Sequence, residues 1–362
     1  MTLGIVGMGR IGYKIAQRAK AFEMKILYHN RHRRMTESKE LPGALVEEIG
    51  GPNGVMEEHV DFLKERFTLI TMKELKENKE ELAEKIVCIF NWGNKPDVER
   101  ELLRCLPRLK VVASAGAGVD HLDVKMISSF GVKVANTPHA VTNSTADLAM
   151  TLLLVAARNF MEAHQIALSP NTDRFHANWV GGDVTGMTLG IVGMGRIGYK
   201  IAQRAKAFEM KILYHNRHRR QEEEGSVGAS FCARLDDLLQ QSDYVMLVVN
   251  LCPETEKLIG KHEFHVMKPS ATLINISRGL VVDQEALVEA LQTGQIKAAA
   301  LDVTYPEPLP RDHPLLNLRN AILTPHMGSA TFQTRWLMME HMVQSMIDAI
   351  SNLPVSYGVT VN

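Results

Sequence analysis

Three chemically active side chains each follow a predicted β-strand in the second half of the chain. They are Arg278 after Thr272–Ile276, Glu307 after Ala298–Asp302, and His326 after Ala321–Leu323. A guanidinium pairs with carboxylates, and an imidazole exchanges protons near neutral pH. Because parallel strands end at one edge of a sheet, we expect the three side chains to meet at one site. Taken singly, they have plainer explanations: a surface arginine, a loop glutamate and a helix-capping histidine.

A glycine-rich turn precedes these residues and lies between a predicted strand, Thr188–Val192, and a predicted helix, Arg196–Phe208. A Gly-x-Gly-x-x-Gly turn in this context is typical of a dinucleotide site. Its glycines permit a tight turn, close approach of the backbone to pyrophosphate, and close packing of the helix. The alternative is a tight turn that binds nothing. The predicted contact residues are Gly193, Gly195, Arg196, Ile197 and Gly198.

The end of the next predicted strand, Lys211–Tyr214, indicates which dinucleotide is bound. Sites for NAD place Asp or Glu there to bind the ribose 2′-hydroxyl. This chain has Asn216 at that position, followed by the basic residues Arg217, His218, Arg219 and Arg220. A 2′-phosphate needs cations and no carboxylate, so we predict NADP as the cofactor, with NADPH preferred over NADH. The alternative is a solvated basic loop.

The turn belongs to an internal repeat: residues 1–34 recur without a change as residues 187–220. A recent exon duplication or an error in the gene model would explain two identical copies, and the alternative is a functional second dinucleotide site. The second copy runs directly into further strand and helix alternation. Because short connections are favoured, we expect residues 187–220 to occupy the sheet. Residues 1–34 should then be a surplus, poorly packed βαβ fragment.

A separate α/β pattern precedes the second copy. Its predicted strands are Ala44–Val46, Thr68–Thr71, Ile86–Phe90, Val111–Ala113 and Val132–Val134. The predicted helices are Met72–Lys85, Thr142–Phe160 with Asn143 or Ser144 as N-cap, and a methionine-rich helix, Phe332–Leu353. Residues 160–186 are expected to be irregular. We predict two doubly wound parallel-sheet α/β domains: residues 35–140 with 330–362, and residues 141–329.

Composition narrows the classes of partner and the compartment. The 41 basic and 41 acidic side chains give zero net charge, which argues against nucleic acid or an anionic membrane as the main partner. The longest near-apolar stretch, Leu148–Ala157, is about half of the roughly 20 residues that span a bilayer. The four cysteines include no CxxC pair, so we expect neither a metal site nor disulfides. A cytoplasmic protein is the resulting expectation.

Five motifs together carry a family resemblance. They are Ala115–Asp120, the glycine turn at 193–198, Asn275–Gly279 with Asp283, Leu301–Val303 with Pro306–Leu309, and Pro325–Ser329. From Pro42 to about Leu353 the chain resembles the D-isomer-specific 2-hydroxyacid dehydrogenases, and most of all their glyoxylate/hydroxypyruvate reductase branch. The resemblance implies a flavodoxin-like substrate domain, a Rossmann cofactor domain and a homodimer. It does not account for residues 1–34.

The resemblance also implies roles for individual residues. Arg278, Glu307 and His326 would be catalytic. Arg278 would bind the substrate carboxylate, and His326 would donate a proton from one ring nitrogen. Glu307 would contact the other ring nitrogen. The amides of Ala117 and Gly118 would form an anion-binding turn for the same carboxylate. Residues expected on the cofactor are Val249, Asn250, Ile276, Asp302 and Gly328. Trp179, in the segment before the cofactor domain, could reach the active site of a partner subunit.

The expected activity is NADPH-dependent reduction of a short 2-oxo acid to the D-2-hydroxy acid, with His326 as general acid. The sequence does not rank glyoxylate, hydroxypyruvate and 2-ketogluconate. An alternative of another class is an NAD(H)-sensing corepressor, since transcriptional corepressors of this superfamily have the same three catalytic residues. Those corepressors have an acidic residue where this chain has Asn216, which weighs against this alternative. A further alternative is a folding-defective product, in which the first copy of the repeat competes for its own place in the sheet.

Overall fold

The computed structural model describes residues 41–51, 54–171 and 179–360, together with the backbones of two strands near the N-terminus. These two strands are β1 (Thr2–Val6) and β2 (Lys25–His29). They pair in parallel as a sheet of their own. The remaining strands form two further sheets, in which every described pairing is parallel.

The first large sheet has five strands in the order β4-β3-β5-β6-β7. Its strands are β3 (Gly43–Val46), β4 (Thr68–Thr71), β5 (Ile86–Asn91), β6 (Val111–Ser114) and β7 (Lys133–Ala135). Counted from β3, this order is 2-1-3-4-5, which is the flavodoxin-like arrangement. The sheet lies between two hydrophobic clusters, with Ala44 and Val46 on one face and Leu45 on the other.

The second large sheet has seven strands in the order β10-β9-β8-β11-β12-β13-β14. Its strands are β8 (Thr188–Val192), β9 (Lys211–His215), β10 (Ser230–Phe231), β11 (Tyr244–Leu247), β12 (Thr272–Asn275), β13 (Ala298–Leu301) and β14 (Ala321–Leu323). The order reverses between β8 and β11, as in the Rossmann arrangement, and a ligand crevice is expected at this point. The predicted fold class, two doubly wound parallel sheets, is confirmed.

The helices of the described residues cover both faces of the two large sheets. In chain order they are α1 (Glu57–Lys64), α2 (Met72–Glu77), α3 (Lys79–Leu82), α4 (Arg100–Cys105), α5 (Val124–Ser129), α6 (Thr142–Ala157), α7 (Phe160–Leu168), α8 (Arg196–Ala207), α9 (Gln221–Val227), α10 (Leu235–Gln241), α11 (Lys261–Val266), α12 (Gln284–Gln292) and α13 (Phe332–Ile350). None of them combines the length and apolar character that a membrane span requires.

Two helices show which parts of the chain pack on each of the two large sheets. The C-terminal helix α13 buries Met339 and Met346 in the core of the five-stranded sheet. Helix α6 buries Ala149 and Leu153 against the seven-stranded sheet. We therefore propose that the domains divide at the predicted boundaries, residues 35–140 with 330–362 and residues 141–329.

The two copies of the repeat differ in their surroundings. Strands β8 and β9 of the second copy pair from Thr188 opposite Lys211 to Val192 opposite His215, inside the seven-stranded sheet. Strands β1 and β2 pair in the same register, from Thr2 opposite Lys25, but join neither large sheet. The glycine turn and helix predicted for the first copy lie outside the described residues, so its poor packing stays a prediction.

Several predicted element boundaries were wrong. Helix α6 begins at Thr142, upstream of both proposed caps, and its N-cap Val141 makes no side-chain capping bond. The segment predicted to be irregular opens with helix α7. The single helix predicted for residues 72–85 is interrupted because Asn78 has φ −132° and ψ 49°, which are not helical values.

Candidate active site

The glycine turn after β8 has the geometry that a dinucleotide pyrophosphate requires. Gly193 has φ +110°, and a Cβ there would strike the carbonyl of Val248. A Cβ on Gly198 would strike the Gly193 carbonyl, so this glycine lets helix α8 pack against the turn. Gly195, the N-cap of α8, has nothing within 4 Å of its Cβ position. The open space above Gly195 fits the approach of a phosphate to the helix N-terminus.

The residue after β9 closes this turn. Asn216 accepts a hydrogen bond from the Met194 amide through Oδ1 at 2.6 Å. Three of the four basic residues that follow, Arg217, His218 and Arg220, line the adjoining cleft. Arg219 is not among the described lining residues. It is ion-paired with Glu224 beneath the loop, with Nη2 at 2.8 Å from Oε1.

A cleft of about 1680 Å³ runs between the ends of the two large sheets. The predicted site residues that line it are Ala117, Gly118, Gly193, Gly195, Arg196, Ile197, Asn216, Arg217, His218, Arg220, Val249, Asn250, Ile276 and Arg278. Six other predicted residues are not among the described lining residues: Gly198, Arg219, Asp302, Glu307, His326 and Gly328. The structure therefore brings most of the predicted dinucleotide site together along one cleft.

The three predicted catalytic residues follow adjacent strands of the seven-stranded sheet. Arg278 follows β12, Glu307 follows β13 and His326 follows β14. Nδ1 of His326 lies 2.8 Å from Oε2 of Glu307, and both side chains are partly exposed. Because a carboxylate only accepts, this contact assigns the proton of the neutral ring to Nδ1 and leaves Nε2 for another partner.

The charge state of Glu307 follows from its neighbours. Burial raises the pKa of Glu307, but the hydrogen bond and charge of His326, with help from the Thr304 amide and from Arg278, outweigh burial and hold this pKa below its ordinary value. Glu307 is therefore an anion at neutral pH. The charges of both His326 and Arg278 thus favour the ionised form of Glu307.

Asp302 lies beneath the loop that carries His326. Its side chain is buried, and its carboxylate accepts hydrogen bonds from the amides of Met327 at 2.8 Å and Gly328 at 2.9 Å and from the Thr324 hydroxyl at 2.7 Å. His326 has φ +52°, an uncommon value for a side-chain-bearing residue. Asp302 and Gly328, expected on the cofactor, thus form the turn that holds His326 in this conformation.

Arg278 is held from the opposite side of the cleft. Its Nε donates to Oδ1 of Asp120 at 3.0 Å and to Oδ2 at 3.1 Å, and its Nη1 donates to the Ser277 carbonyl at 2.9 Å. A Cβ on Gly118 would strike Nη2 of Arg278 and would lie 2.7 Å from Oδ1 of Asp120. A side chain at position 118 would therefore displace the guanidinium from its present position.

The loop after β6 is braced by the segment after β7. The Gly116 amide donates to Thr137 Oγ1 at 2.8 Å, and Nδ2 of Asn136 donates to the Ala117 carbonyl at 2.6 Å. Within the described part of the chain, the amides of Ala117 and Gly118 have no protein acceptor. Two adjacent free amides facing a cleft can bind an anion.

Sequence reasoning missed several residues of the cleft. Asp120 could have been found, since it is a carboxylate in a loop at the carboxyl end of a strand. The C-terminal segment 356–360, which also lines the cleft, carried no sequence signal. Trp179 is hydrogen-bonded to Glu162 of helix α7 at 3.0 Å, and its suggested approach to a partner subunit stays a prediction. The described residues contain no group of His, Cys, Asp or Glu side chains arranged to hold a metal.

Comparison with known proteins identifies the family. Residues 1–93 and 150–328 match the model of the D-isomer specific 2-hydroxyacid dehydrogenase NAD binding domain. The chain is 43% identical over 295 residues to glyoxylate/hydroxypyruvate reductase B of Enterobacter sp. (strain 638), covering 80% of this chain and 90% of that protein. It is 42% identical over 301 residues to glyoxylate reductase of Thermococcus gammatolerans, covering 81% and 90%.

Solved structures agree with this assignment. The NADPH-dependent glyoxylate/hydroxypyruvate reductase of Sinorhizobium meliloti, in complex with NADP and malonate, superposes with a TM-score of 0.77. It is 29% identical in sequence, and the match covers 88% of this chain and 97% of that one. The chain belongs to the D-isomer-specific 2-hydroxyacid dehydrogenases, in the branch that includes the glyoxylate/hydroxypyruvate reductases.

Proposed function

We propose that the protein reduces a short 2-oxo acid, glyoxylate or hydroxypyruvate, to the D-2-hydroxy acid with NADPH. The observation that carries this proposal is that Arg278, Glu307 and His326 follow three adjacent strands, with Nδ1 of His326 at 2.8 Å from Oε2 of Glu307. The relatives named as glyoxylate and glyoxylate/hydroxypyruvate reductases support the choice of substrate.

His326 is the proton donor in this proposal. Glu307 accepts a hydrogen bond from Nδ1 of His326 at 2.8 Å, which orients the ring. Nε2 then donates its proton to the carbonyl oxygen as negative charge develops there. The carboxylate of Glu307 and the turn that Asp302 supports together fix the direction in which Nε2 of His326 points.

Arg278 and the loop after β6 bind the carboxylate of the substrate. The guanidinium supplies charge and paired donors, and the amides of Ala117 and Gly118 supply two further donors. The same guanidinium polarises the adjacent carbonyl group, which favours attack at its carbon. Two short segments, one from each domain, thus orient a small anion in the cleft.

Cofactor binding falls to the turn after β8 and the loop after β9. The helix N-terminus at Gly195 faces the pyrophosphate, and Arg217, His218 and Arg220 bind the 2′-phosphate. Asn216, which carries no charge, does not repel that phosphate. When bound, the dinucleotide supplies the hydride that the carbonyl carbon takes up. Val249, Asn250 and Ile276 line the same cleft on the way to Arg278 and are assigned to the nicotinamide side.

A steady-state assay tests the proposal directly. Purified protein should oxidise NADPH in the presence of glyoxylate or hydroxypyruvate, with a much lower kcat/KM when NADH replaces NADPH. Parallel assays with 2-ketogluconate rank the substrates. Binding of NADH without turnover of any of these acids would instead favour a dinucleotide sensor.

The active unit proposed is a homodimer in the cytoplasm. Helix α7 and the residues after it expose large apolar side chains at Phe160, Met161, Leu168 and Val180, which supports a covered surface there. All four cysteines are free thiols, which supports a reducing compartment. Light scattering of the purified protein measures the mass of the assembly.

A further inference from the structure

We propose that Asp120 is a positioning residue, which fixes the guanidinium of Arg278 across the cleft so that its Nη2 side faces the substrate carboxylate. This inference rests on the proposed function, because it concerns the same carboxylate site. Asp120 lies in the loop after β6 of the five-stranded sheet, and Arg278 follows β12 of the seven-stranded sheet. The pair therefore joins the two domains at the point where the substrate binds.

The contacts of the guanidinium leave one side of it for a ligand. Both carboxylate oxygens of Asp120 accept from Nε, and the Ser277 carbonyl accepts from Nη1. Within the described residues, Nη2 has no hydrogen-bond partner. Nη2 lies against Gly118, whose own amide also has no protein acceptor. The donors that remain for an anion are thus the Nη2 end of Arg278 and the adjacent amides.

The position of Asp120 is itself fixed. The neighbouring His121 is partly buried, and its Nε2 lies 3.0 Å from Oδ1 of Asn91 and 3.1 Å from Oγ of Ser114. Both of these residues are buried at the ends of β5 and β6. The loop that carries Asp120 is therefore anchored to the ends of β5 and β6 through the adjacent His121.

The ion pair between Asp120 and Arg278 is largely shielded from water. Both side chains are about three-quarters buried, with 28% and 29% of their surface exposed. Burial raises the pKa of Asp120, but the charge and hydrogen bond of Arg278 outweigh burial and hold this pKa below its ordinary value. Asp120 is consequently charged at neutral pH, and it restrains a long side chain that would otherwise sample many rotamers.

A double-mutant cycle tests this role. Asp120→Ala should lower kcat/KM for glyoxylate by about 100-fold, the cost of misplacing a substrate-binding group by about 1 Å. Asp120→Asn, which keeps an acceptor and loses the charge, should lose about tenfold. If Asp120 acts through Arg278, adding Asp120→Ala to Arg278→Ala should cost no more than about twofold. The affinity for NADPH, measured by fluorescence, should stay within about twofold in the Asp120 variants.

The matched control is Asp123→Ala, three residues away. Asp123 caps helix α5 by accepting from the Met126 amide at 2.8 Å, so this change should lower the melting temperature and leave kcat/KM unchanged. The proposal is overturned if Asp120→Ala keeps wild-type kcat/KM, or if its full loss persists on the Arg278→Ala background. It is also overturned if kcat/KM falls only in proportion to lost folded protein.

Binding of oxalate separates this inference from the proposed function. Oxalate has the carboxylate group of the substrate and no reducible carbonyl. Calorimetric titration of the enzyme with NADPH present should show oxalate binding that Asp120→Ala weakens by about tenfold. If the wild type fails to reduce glyoxylate, the proposed function is wrong, and oxalate then decides the role of Asp120. Equal oxalate affinity in wild type and Asp120→Ala would overturn the positioning role.

Discussion

Arg219 donates to Glu224 from two nitrogens of its guanidinium, Nε to Oε2 at 2.8 Å and Nη2 to Oε1 at 2.8 Å. The Tyr214 hydroxyl donates to the same carboxylate at 3.0 Å and accepts from the Arg220 amide at 2.9 Å. Glu224 therefore supports the basic loop after β9 from beneath. The loop carries Arg217, His218 and Arg220 along the cleft, whereas Arg219 has a structural partner.

Arg217 and Arg219 should consequently differ in their effect on the cofactor. We expect Arg217→Ala to raise the KM for NADPH by about tenfold or more, the value of a charge-assisted hydrogen bond, and to leave the KM for NADH nearly unchanged. Arg219→Ala should change the NADPH-to-NADH ratio less, because Arg219 acts on the loop and not on the phosphate. Kinetics with both dinucleotides measure the ratio. An equal shift of both KM values in Arg217→Ala would contradict the 2′-phosphate assignment.

His326 and Glu307 should act as one unit. His326→Ala should lower kcat by about 100-fold or more while NADPH binding persists, because a general acid is lost. Glu307→Gln should lower kcat less, because the amide can still hold Nδ1 of His326 through its oxygen and only the charge is lost. Steady-state measurement of kcat for each variant makes the comparison. An unchanged kcat in His326→Ala would remove the acid from the mechanism.

The two copies of the glycine turn should differ in function. Gly195→Val should abolish NADPH binding, because a branched side chain would fill the space above the turn that is open within 4 Å. Gly9→Val, the matching change in the first copy, should leave the affinity unchanged. Fluorescence titration with NADPH measures both.

Equal losses in the two variants would show a functional first copy. The yield of soluble protein from the full chain and from a chain begun at Met35 provides a second comparison. We expect the shorter chain to fold at least as well, because it lacks a surplus pair of strands with open edges.

Three buried or partly buried histidines should make the protein less stable in mild acid. Burial lowers the pKa of His59, His121 and His341 below the ordinary value of 6.5. As the pH falls through 6.5, the unfolded chain binds protons that the folded chain does not, so the free energy of unfolding decreases. Melting temperatures between pH 7.5 and pH 5.5 measure the effect (about one unit on either side of 6.5).

His59 offers a direct test of this pH dependence. Its ring centroid lies 5.5 Å from those of Trp92 and Trp336, and its buried Nδ1 has no hydrogen-bond partner among the residues that the structure describes. His59→Phe should reduce the loss of stability in acid and should stabilise the protein at neutral pH by about 1 kcal/mol, because an unsatisfied buried group is removed. The exposed His262 provides the control as His262→Gln. An unchanged pH slope in His59→Phe would contradict the assignment.

The sequence by itself determined the fold class and the chemistry of the strand ends. Hydrophobic alternation and the glycine turn are local patterns, and parallel strands bring their carboxyl ends to one edge. Arg278, Glu307 and His326 could therefore be grouped before any distance was known. The family resemblance could also be recognised from the sequence, because its motifs are short and contiguous.

The tertiary structure alone decided which of these residues are held, and by what. The pairing of Arg278 with Asp120 depends on how the two domains meet, and 158 positions separate the two residues. Asp302 supports the His326 turn because its side chain is buried beneath that turn, and burial of a carboxylate requires donors around it. Arg219 is held by Glu224 because helix α9 folds back beneath the loop. Local sequence patterns specify strands and turns, but the partner of a charged side chain is selected only when distant elements pack together.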